Sequence, residues 1–274
     1  MDAKIPVTNF VLLGDTGFIG SEFLTQIRNL GIPIVCLNSK RILQIHNDQI
    51  FEYPRNYLEI FDEVAPFISP GTVIINTVWC HNEKSERNSI SHEMSLSEEL
   101  RLINALEVTS AYYLSLGSIA EIDDIEISPS NNTRYASAKK TIQSRLSGSS
   151  LKSIWIRIAS CYGPNDGRDW LVPQLRNSIL AGLPLRIENP NQIINLCHVQ
   201  VLVNACLKLI QNGETGTYNV VTQQWLTIED LNTCTKTLIE PRYLRRDIGD
   251  FSETDPMALY LHTPPIVDYF QISA

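Results

Sequence analysis

A glycine-rich turn, Gly14-Asp15-Thr16-Gly17-Phe18-Ile19-Gly20, carries the clearest structural signal, with three glycines at G-x-x-G-x-x-G spacing. The apolar residues 9–13 (NFVLL) predict a buried strand before it, and residues 18–30 show a helical pattern that ends at Gly31. Glycines in such a turn let the backbone approach a pyrophosphate closely, while the amides of the helix N-terminus face its charge. A glycine-rich turn without a ligand is the competing interpretation, but the strand before and the helix after favour a dinucleotide site. We expect it to be formed by Gly14, Thr16, Gly17, Phe18, Ile19 and Gly20.

The rest of the first two thirds alternates short apolar runs with helical patterns. Strands are predicted at 32–37, 72–78, 111–116 and 153–158, and helices at 57–67, 95–107 and 133–146. Strands separated by helices require crossover connections, so the fold class is α/β, a doubly wound parallel sheet of the Rossmann-like type with helices on both faces.

After Gly163-Pro164 turn residues dominate, and an apolar helix follows at 199–210. We therefore expect a dinucleotide-binding domain at 1–165, with residues 192–222 packing back on it. A smaller C-terminal substrate-binding lobe is expected at 166–191 and 223–274.

Composition excludes several classes of function. With 22 Lys+Arg against 30 Asp+Glu the formal net charge is −8, which argues against a nucleic-acid surface. No apolar stretch is long enough for a membrane span, and the N-terminus lacks a signal peptide, so a cytoplasmic location is expected. Six scattered cysteines without a C-x-x-C pair indicate reduced thiols and no metal site.

The end of the second predicted strand bears on cofactor choice. A carboxylate there hydrogen-bonds the adenosine ribose of NAD, whereas a basic residue accommodates the 2′-phosphate of NADP. The sequence there is Asn38-Ser39-Lys40-Arg41, without an acid. These four residues predict NADP(H) in preference to NAD(H), with a solvated basic loop as the competing interpretation.

Three further residues can carry chemistry at the same edge of the sheet. Tyr135 and Lys139 form a Y-x-x-x-K pair four residues apart, hence on one helix face, where the ammonium stabilises a phenolate. Ser118 ends a predicted strand, as does the segment containing Thr77 and Trp79. Because the carboxyl ends of parallel strands form one ligand crevice, we expect these residues to meet the glycine turn there.

Together these residues resemble extended short-chain dehydrogenases/reductases, the NAD-dependent epimerase/dehydratase family that acts on nucleotide sugars. The stretch at 157–164 (RIASCYGP) is similar to the family's R-x-x-x-x-Y-G-P, and the likeness covers about residues 8–240. The resemblance implies that Tyr135 is the acid/base, that Lys139 orients the cofactor ribose, and that Ser118 polarises the reacting C–O group. It also implies cofactor contacts from Thr77 and possible homodimerisation through the helices at 95–107 and 133–146.

The expected substrate contacts are Trp79, Ser118 and Tyr162, with Arg176 and Arg186 as candidates for a diphosphate at even odds with plain surface charge. His198 is interpreted as a capping residue, and His81 and His92 as solvated loop residues. The pattern at 117–121 (GSIAE) is closer to the G-[ST]-x-x-E-Y-G of NDP-4-keto-6-deoxysugar reductases than to the pattern of common epimerases.

The leading hypothesis is an NADPH-dependent reduction of the C4 keto group of a nucleotide-activated 4-keto-6-deoxysugar, in polysaccharide biosynthesis. The first alternative is a nucleotide-sugar epimerase or dehydratase with tightly bound NAD. The second is a non-catalytic regulatory protein that senses NADP(H).

Overall fold

The computed structural model describes residues 6–46, 49–54, 59–80, 87–122, 133–168, 170–183, 186–237 and 258–261. Its strands are β1 (Asn9–Leu13), β2 (Ile34–Leu37), β3 (Arg41–His46), β4 (Gln49–Pro54), β5 (Thr72–Asn76), β6 (Tyr112–Ser118), β7 (Lys152–Ile158), β8 (Ser160–Tyr162), β9 (Ile193–His198), β10 (Gly216–Thr222), β11 (Trp225–Thr227) and β12 (Ala258–Leu261). Its helices are α1 (Phe18–Asn29), α2 (Ile60–Val64), α3 (Ser91–Leu106), α4 (Arg134–Ser147), α5 (Leu171–Ala181), α6 (Val199–Asn212) and α7 (Ile228–Thr237).

The larger sheet joins nine of the described strands in the order β12-β10-β7-β6-β5-β1-β2-β3-β4. All neighbours from β12 to β2 run parallel, which confirms the predicted doubly wound, Rossmann-like architecture. The strand order reverses direction between β1 and β5. In open α/β sheets the ligand crevice lies at such a switch point, beyond the carboxyl ends of the strands.

Alternation along the central strands explains why helices cover both faces. In β1, Phe10 and Leu12 pack in a core with α1 and α6, while Val11 and Leu13 pack in a second core with α3 and α4. Successive side chains of a strand point to opposite faces, so a strand that is apolar throughout needs a helical layer on each side.

The chain between β2 and α2 differs from the prediction, which placed no strand at residues 41–54. There β3 runs antiparallel to β2, and β4 antiparallel to β3, so a hairpin extends the edge of the sheet. Leu43 and Ile45 are buried and alternate with partly exposed neighbours. Strand β3 therefore buries only one face, while residues 49–52 of β4 are exposed.

A second sheet of three strands, in the order β11-β9-β8, packs with α5 and α7 around its own core. It corresponds to the smaller lobe expected from the sequence, whose boundaries stay a prediction. One part of that assignment is wrong: Ala258–Leu261, placed in the lobe, is β12 and pairs with β10 in the larger sheet. Residues 192–222 are divided, since β9 lies in the small sheet while α6 packs on α1 and β10 joins the large one.

No helix among the described residues combines the length and apolar character of a membrane span. Within the same residues, no group of three His, Cys, Asp or Glu side chains is placed to hold a metal ion. All six cysteines are free.

Candidate active site

The glycine loop (residues 14–20) connects β1 to α1 and needs glycine at two positions. Gly14 has a φ of +91°, in the left-handed region that side chains rarely adopt. A Cβ on Gly20 would lie 2.0 Å from the carbonyl oxygen of Gly14, so strand and helix could not approach as they do. The Thr77 hydroxyl, at the end of β5, donates to the Leu13 carbonyl over 2.7 Å and holds the loop from the neighbouring strand.

The N-terminus of α1 is suited to an anion. Its N-cap, Gly17, has no side chain to accept from the first amides, and the first turn contains no acidic residue. Gly17, Phe18, Ile19 and Gly20 all line a crevice at the carboxyl ends of the central strands. Backbone amides and the helix dipole therefore face that crevice without a competing carboxylate.

The end of β2 differs from the expectation of a basic loop without an acid. Asp15, in the glycine loop, is buried and accepts a 2.9 Å hydrogen bond from the Asn38 side chain. Nη2 of Arg41 lies 3.8 Å from the same carboxylate, and Nη1 lies 2.9 Å from Glu52. The glycine loop therefore places a carboxylate, that of Asp15, next to the residue that follows β2.

Ser118 ends β6 and begins a short 3₁₀ turn. Its hydroxyl accepts from the Ala120 amide over 3.2 Å, while Glu121 accepts from the Ser118 amide over 2.7 Å, which makes a capping box. The Glu121 carboxylate also accepts from the Trp155 indole at 3.0 and 3.1 Å and from Nε of Arg157 at 3.0 Å. The backbone of Ser118 is therefore fixed by a buried carboxylate, and both oxygens of that carboxylate accept hydrogen bonds.

Tyr135 and Lys139 occupy the first turns of α4. The Lys139 ammonium is buried, donates to the Leu116 carbonyl over 2.8 Å, and lies 3.6 Å from the centroid of the Trp79 ring. The Tyr135 ring meets Trp79 edge-on at 6.0 Å and His92 at 5.4 Å. His92, which the sequence placed in a solvated loop, is fully buried on α3, where Nδ1 accepts from the Trp79 indole over 3.1 Å.

Arg87 is a site residue that sequence reasoning missed. Its guanidinium carbon lies 4.2 Å from the centroid of the Tyr135 ring and 5.1 Å from that of Trp170. Burial lowers the pKa of this guanidinium, and the charge of Tyr135 partly opposes that effect. No sequence motif surrounds Arg87, so its place in the site can be recognised only from its contacts with Tyr135 and Trp170 in the folded chain.

The crevice has a cavity volume of about 250 Å³ and brings most of the predicted site together. From the sequence predictions it is lined by Gly17, Phe18, Ile19, Gly20, Thr77, Trp79, Ser118, Tyr135 and Lys139. The described lining includes the cations Arg87, Lys139 and Arg168 and no Asp or Glu. The described lining of the crevice is therefore positively charged, although the net charge of the chain is negative.

Several predicted residues lie elsewhere. Tyr162, predicted as a substrate contact, does not line the crevice and is buried in the core of the small sheet, edge-on to His198. Arg176 and Arg186 do not line the crevice, and Arg186 is exposed. Gly14 and Thr16 in the glycine loop, and Asn38, Ser39, Lys40 and Arg41 after β2, also lie outside this lining. His81 lies outside the described residues, while His198 caps α6 as expected.

Residues 10–221 match the model of the NAD dependent epimerase/dehydratase family. The chain belongs to this family. The resemblance seen in the sequence is thereby confirmed at the level of the family, and no curated protein matches the chain.

Solved structures of epimerase/dehydratase type share the architecture. UDP-glucose 4-epimerase from Thermotoga maritima, with UDP-glucose, superposes with a TM-score of 0.70 at 16% identity, covering 97% of each chain. A UDP-N-acetylglucosamine 4-epimerase from Methanobrevibacter ruminantium gives 0.67 at 16% identity, covering 96% of this chain and 92% of its own. WbmF from Bordetella bronchiseptica, with NAD⁺, gives 0.65 at 18% identity over 90% and 84%. At such identities the likeness establishes the fold alone.

Proposed function

We propose that this chain catalyses hydride transfer at C4 of a nucleotide-linked sugar, as a 4-epimerase that retains NAD. The observation that carries the proposal is one crevice lined by residues 17–20 of the glycine loop together with Ser118, Tyr135 and Lys139. Its basic lining suits a substrate and a cofactor that are both anions.

The glycine loop fits a nicotinamide dinucleotide, because α1 offers uncapped amides where a pyrophosphate would lie. A bound dinucleotide would supply the hydride acceptor for oxidation at C4 and then the hydride donor for reduction of the other face of the sugar. Tyr135 takes the proton from the sugar hydroxyl and gives it back, and Lys139 adds a positive charge one turn along the same helix. The Ser118 hydroxyl, which accepts from Ala120, uses its own hydrogen to bind the same sugar oxygen.

The carboxylate of Asp15 supports NAD(H) rather than the NADP(H) expected from the sequence. That expectation depended on the missing acid after β2, and Asp15 supplies one through its contact with Asn38. Arg41, one of the two cations proposed for the 2′-phosphate, is paired with Glu52, whereas Lys40 is exposed. A 2′-phosphate near Asn38 would also meet the Asp15 carboxylate, which opposes its binding.

The absence of acids from the described crevice lining favours epimerisation over dehydration. Elimination of water needs one group to remove a proton from carbon and another to protonate the leaving hydroxyl. Glu121 is the carboxylate that contacts the Ser118 amide, and its oxygens also accept from Trp155 and Arg157. Epimerisation needs proton transfer at one oxygen only, which Tyr135 can provide.

Reduction of a 4-keto-6-deoxysugar is the second candidate. The pattern Gly117-Ser118-Ile119-Ala120-Glu121 favours it, since the structure gives Glu121 a definite role beneath Ser118. A reductase releases its oxidised cofactor after each turnover, whereas an epimerase keeps it. The expected cytoplasmic location and the role in polysaccharide biosynthesis accompany both candidates and rest on the sequence alone.

The decisive experiment analyses the purified protein for its cofactor and then for turnover. Stoichiometric NAD⁺ in the purified protein, with interconversion of C4 epimers without added cofactor, is the expected result. Consumption of added NADH or NADPH by a 4-keto sugar would establish the reductase instead. Dinucleotide binding without turnover of any nucleotide sugar would instead support the non-catalytic regulatory protein that senses NADP(H). In calorimetric titration, Asp15→Asn should reduce the ratio of the dissociation constant for NADPH to that for NADH. Glu98→Gln, which changes an exposed carboxylate, is the control and should leave that ratio unchanged.

Homodimerisation through α3 and α4 stays a proposal. The two helices pack on each other, and Met94 on α3 is 68% exposed. Light scattering of the purified protein tests it, and Met94→Glu should shift a dimer towards the monomer.

A further inference from the structure

Arg87 is a partly buried cation that forms no ion pair with any carboxylate among the described residues. Its Nη1 atom is buried and has no hydrogen-bond partner among those residues. An unpaired buried charge is costly, so proteins normally pair such groups or use them to bind a ligand.

The other two cations of the crevice have partners, which sets Arg87 apart. Arg168 binds Asp166 through Nε and Nη2, at 2.7 and 2.8 Å, and also donates to the Cys161 carbonyl. Lys139 donates to the Leu116 carbonyl. Only aromatic rings face the Arg87 guanidinium among its described contacts, those of Tyr135 and Trp170.

From this arrangement we propose that Arg87 binds a carboxylate on the sugar itself, so that the preferred substrate is a nucleotide-linked sugar acid. The inference rests on the proposed function, in which Tyr135 acts on the oxygen at C4. Arg87 lies against the face of the Tyr135 ring, so an anion that it binds is next to the reacting carbon. C5, which carries the C6 carboxylate of a hexuronic acid, is the neighbour of C4. The diphosphate hangs from C1, on the opposite side of the sugar ring.

The shape of the site suits this ligand. A guanidinium presents its donors in a planar fork that matches a carboxylate, and the stacked rings hold that fork in place. Arg87 is only partly buried and lines the crevice, so its guanidinium can meet a ligand there. The uncharged hydroxymethyl group of a neutral hexose would leave the guanidinium unpaired.

The test compares nucleotide sugars that differ only in a C6 carboxylate. Calorimetry with UDP-glucuronate and UDP-glucose, and with the corresponding GDP-mannose and dTDP-glucose pairs, identifies the nucleotide and the preference together. For the nucleotide that binds best, we expect the acid to bind about tenfold or more tightly than the neutral sugar. Arg87→Gln should remove that preference by weakening binding of the acid alone, and it should not lower the melting temperature of the free protein.

Arg101→Gln is the matched control, because Arg101 is an exposed arginine paired on the surface with Glu59 and Glu98. If Arg87→Gln weakens the binding of the acid and of the neutral sugar equally, the inference is refuted. Arg87 would then contact the diphosphate or only support the Tyr135 ring. Wild-type protein that binds both sugars equally would also refute it, with the proposed function intact. Absence of binding to every nucleotide sugar would refute both.

Discussion

Replacing Glu121 by glutamine tests how the chain holds Ser118 in place. The Glu121 side chain is fully buried, and its two oxygens accept from the Ser118 amide, the Trp155 indole and Nε of Arg157. Glutamine keeps the shape but has one acceptor oxygen and one NH₂ group. Whichever way the amide turns, a donor of the protein meets a donor of the new side chain.

The cost follows from these contacts. Removing one partner of a buried ion pair costs about 3–5 kcal/mol, because the other charge stays buried and unpaired. The Arg157 side chain is 17% exposed, so water compensates part of this loss, and we expect about 3 kcal/mol. For a chain of this size that corresponds to a melting temperature lower by roughly 6–12 °C. The freed Ser118 amide should also lower kcat by about tenfold or more, since Ser118 then loses its fixed position.

Calorimetric unfolding and steady-state kinetics measure the two effects. Glu98→Gln is the control, because Glu98 makes the same type of contact with an arginine, but on the exposed surface of α3. If Glu121→Gln unfolds at the temperature of Glu98→Gln, the buried carboxylate does not stabilise this edge of the sheet. If it unfolds lower but keeps the wild-type kcat, Glu121 supports the fold without positioning Ser118.

Three other changes have defined outcomes. Tyr135→Phe should lower kcat by about a hundredfold or more with dinucleotide affinity unchanged, and wild-type turnover would exclude its role as acid/base. Gly20→Ala places a Cβ 2.0 Å from a carbonyl oxygen of the glycine loop, so calorimetry should detect loss of dinucleotide binding; Gly148→Ala, with 3.7 Å of room, should not lose it. Hydrogen bonding by Arg145 lowers the pKa of Glu107 to about 2, against about 4.3 in the unfolded chain. The ionised carboxylate of Glu107 stabilises the fold fully above its unfolded-state pKa, and this stabilisation is lost as the pH falls towards its folded-state pKa. On acidification the urea midpoint should therefore fall less in Glu107→Gln than in wild type, and an equal fall in both proteins would contradict this.

The parts of the fold that the sequence predicted are those with strong local patterns. The glycine loop, β6 ending at Ser118 and the helix bearing Tyr135 and Lys139 each have a sequence signature. The parallel strands end at one edge of the sheet, where residues 17–20, Ser118 and the first turns of that helix line the same crevice. The sequence pattern does not predict the hairpin of β3 and β4, because β3 buries only one face and residues 49–52 of β4 are exposed at the edge of the sheet.

Contacts between distant parts of the chain account for the errors at the site. No local pattern indicates that Asp15 would reach Asn38, so the missing acid after β2 gave a prediction of NADP(H) that the buried contact does not favour. Tyr162 belongs to a family motif but folds into the small core instead of the crevice. Arg87 has no signature at all, since its significance depends on the rings that cover it.

The hairpin at the edge of the large sheet has a consequence for the order in which the chain can fold. The pairing of β1 with β5 must close a long loop, because Asn9 and Thr72 are 63 residues apart. The pairing of β2 with β3 joins neighbours in sequence, such as Leu37 and Ile42. Loop closure costs less entropy for near neighbours, so the meander from β2 to β4 can form before the parallel core is assembled. The nucleotide crevice, which depends on β1 and β5, is then among the last parts of the molecule to be completed.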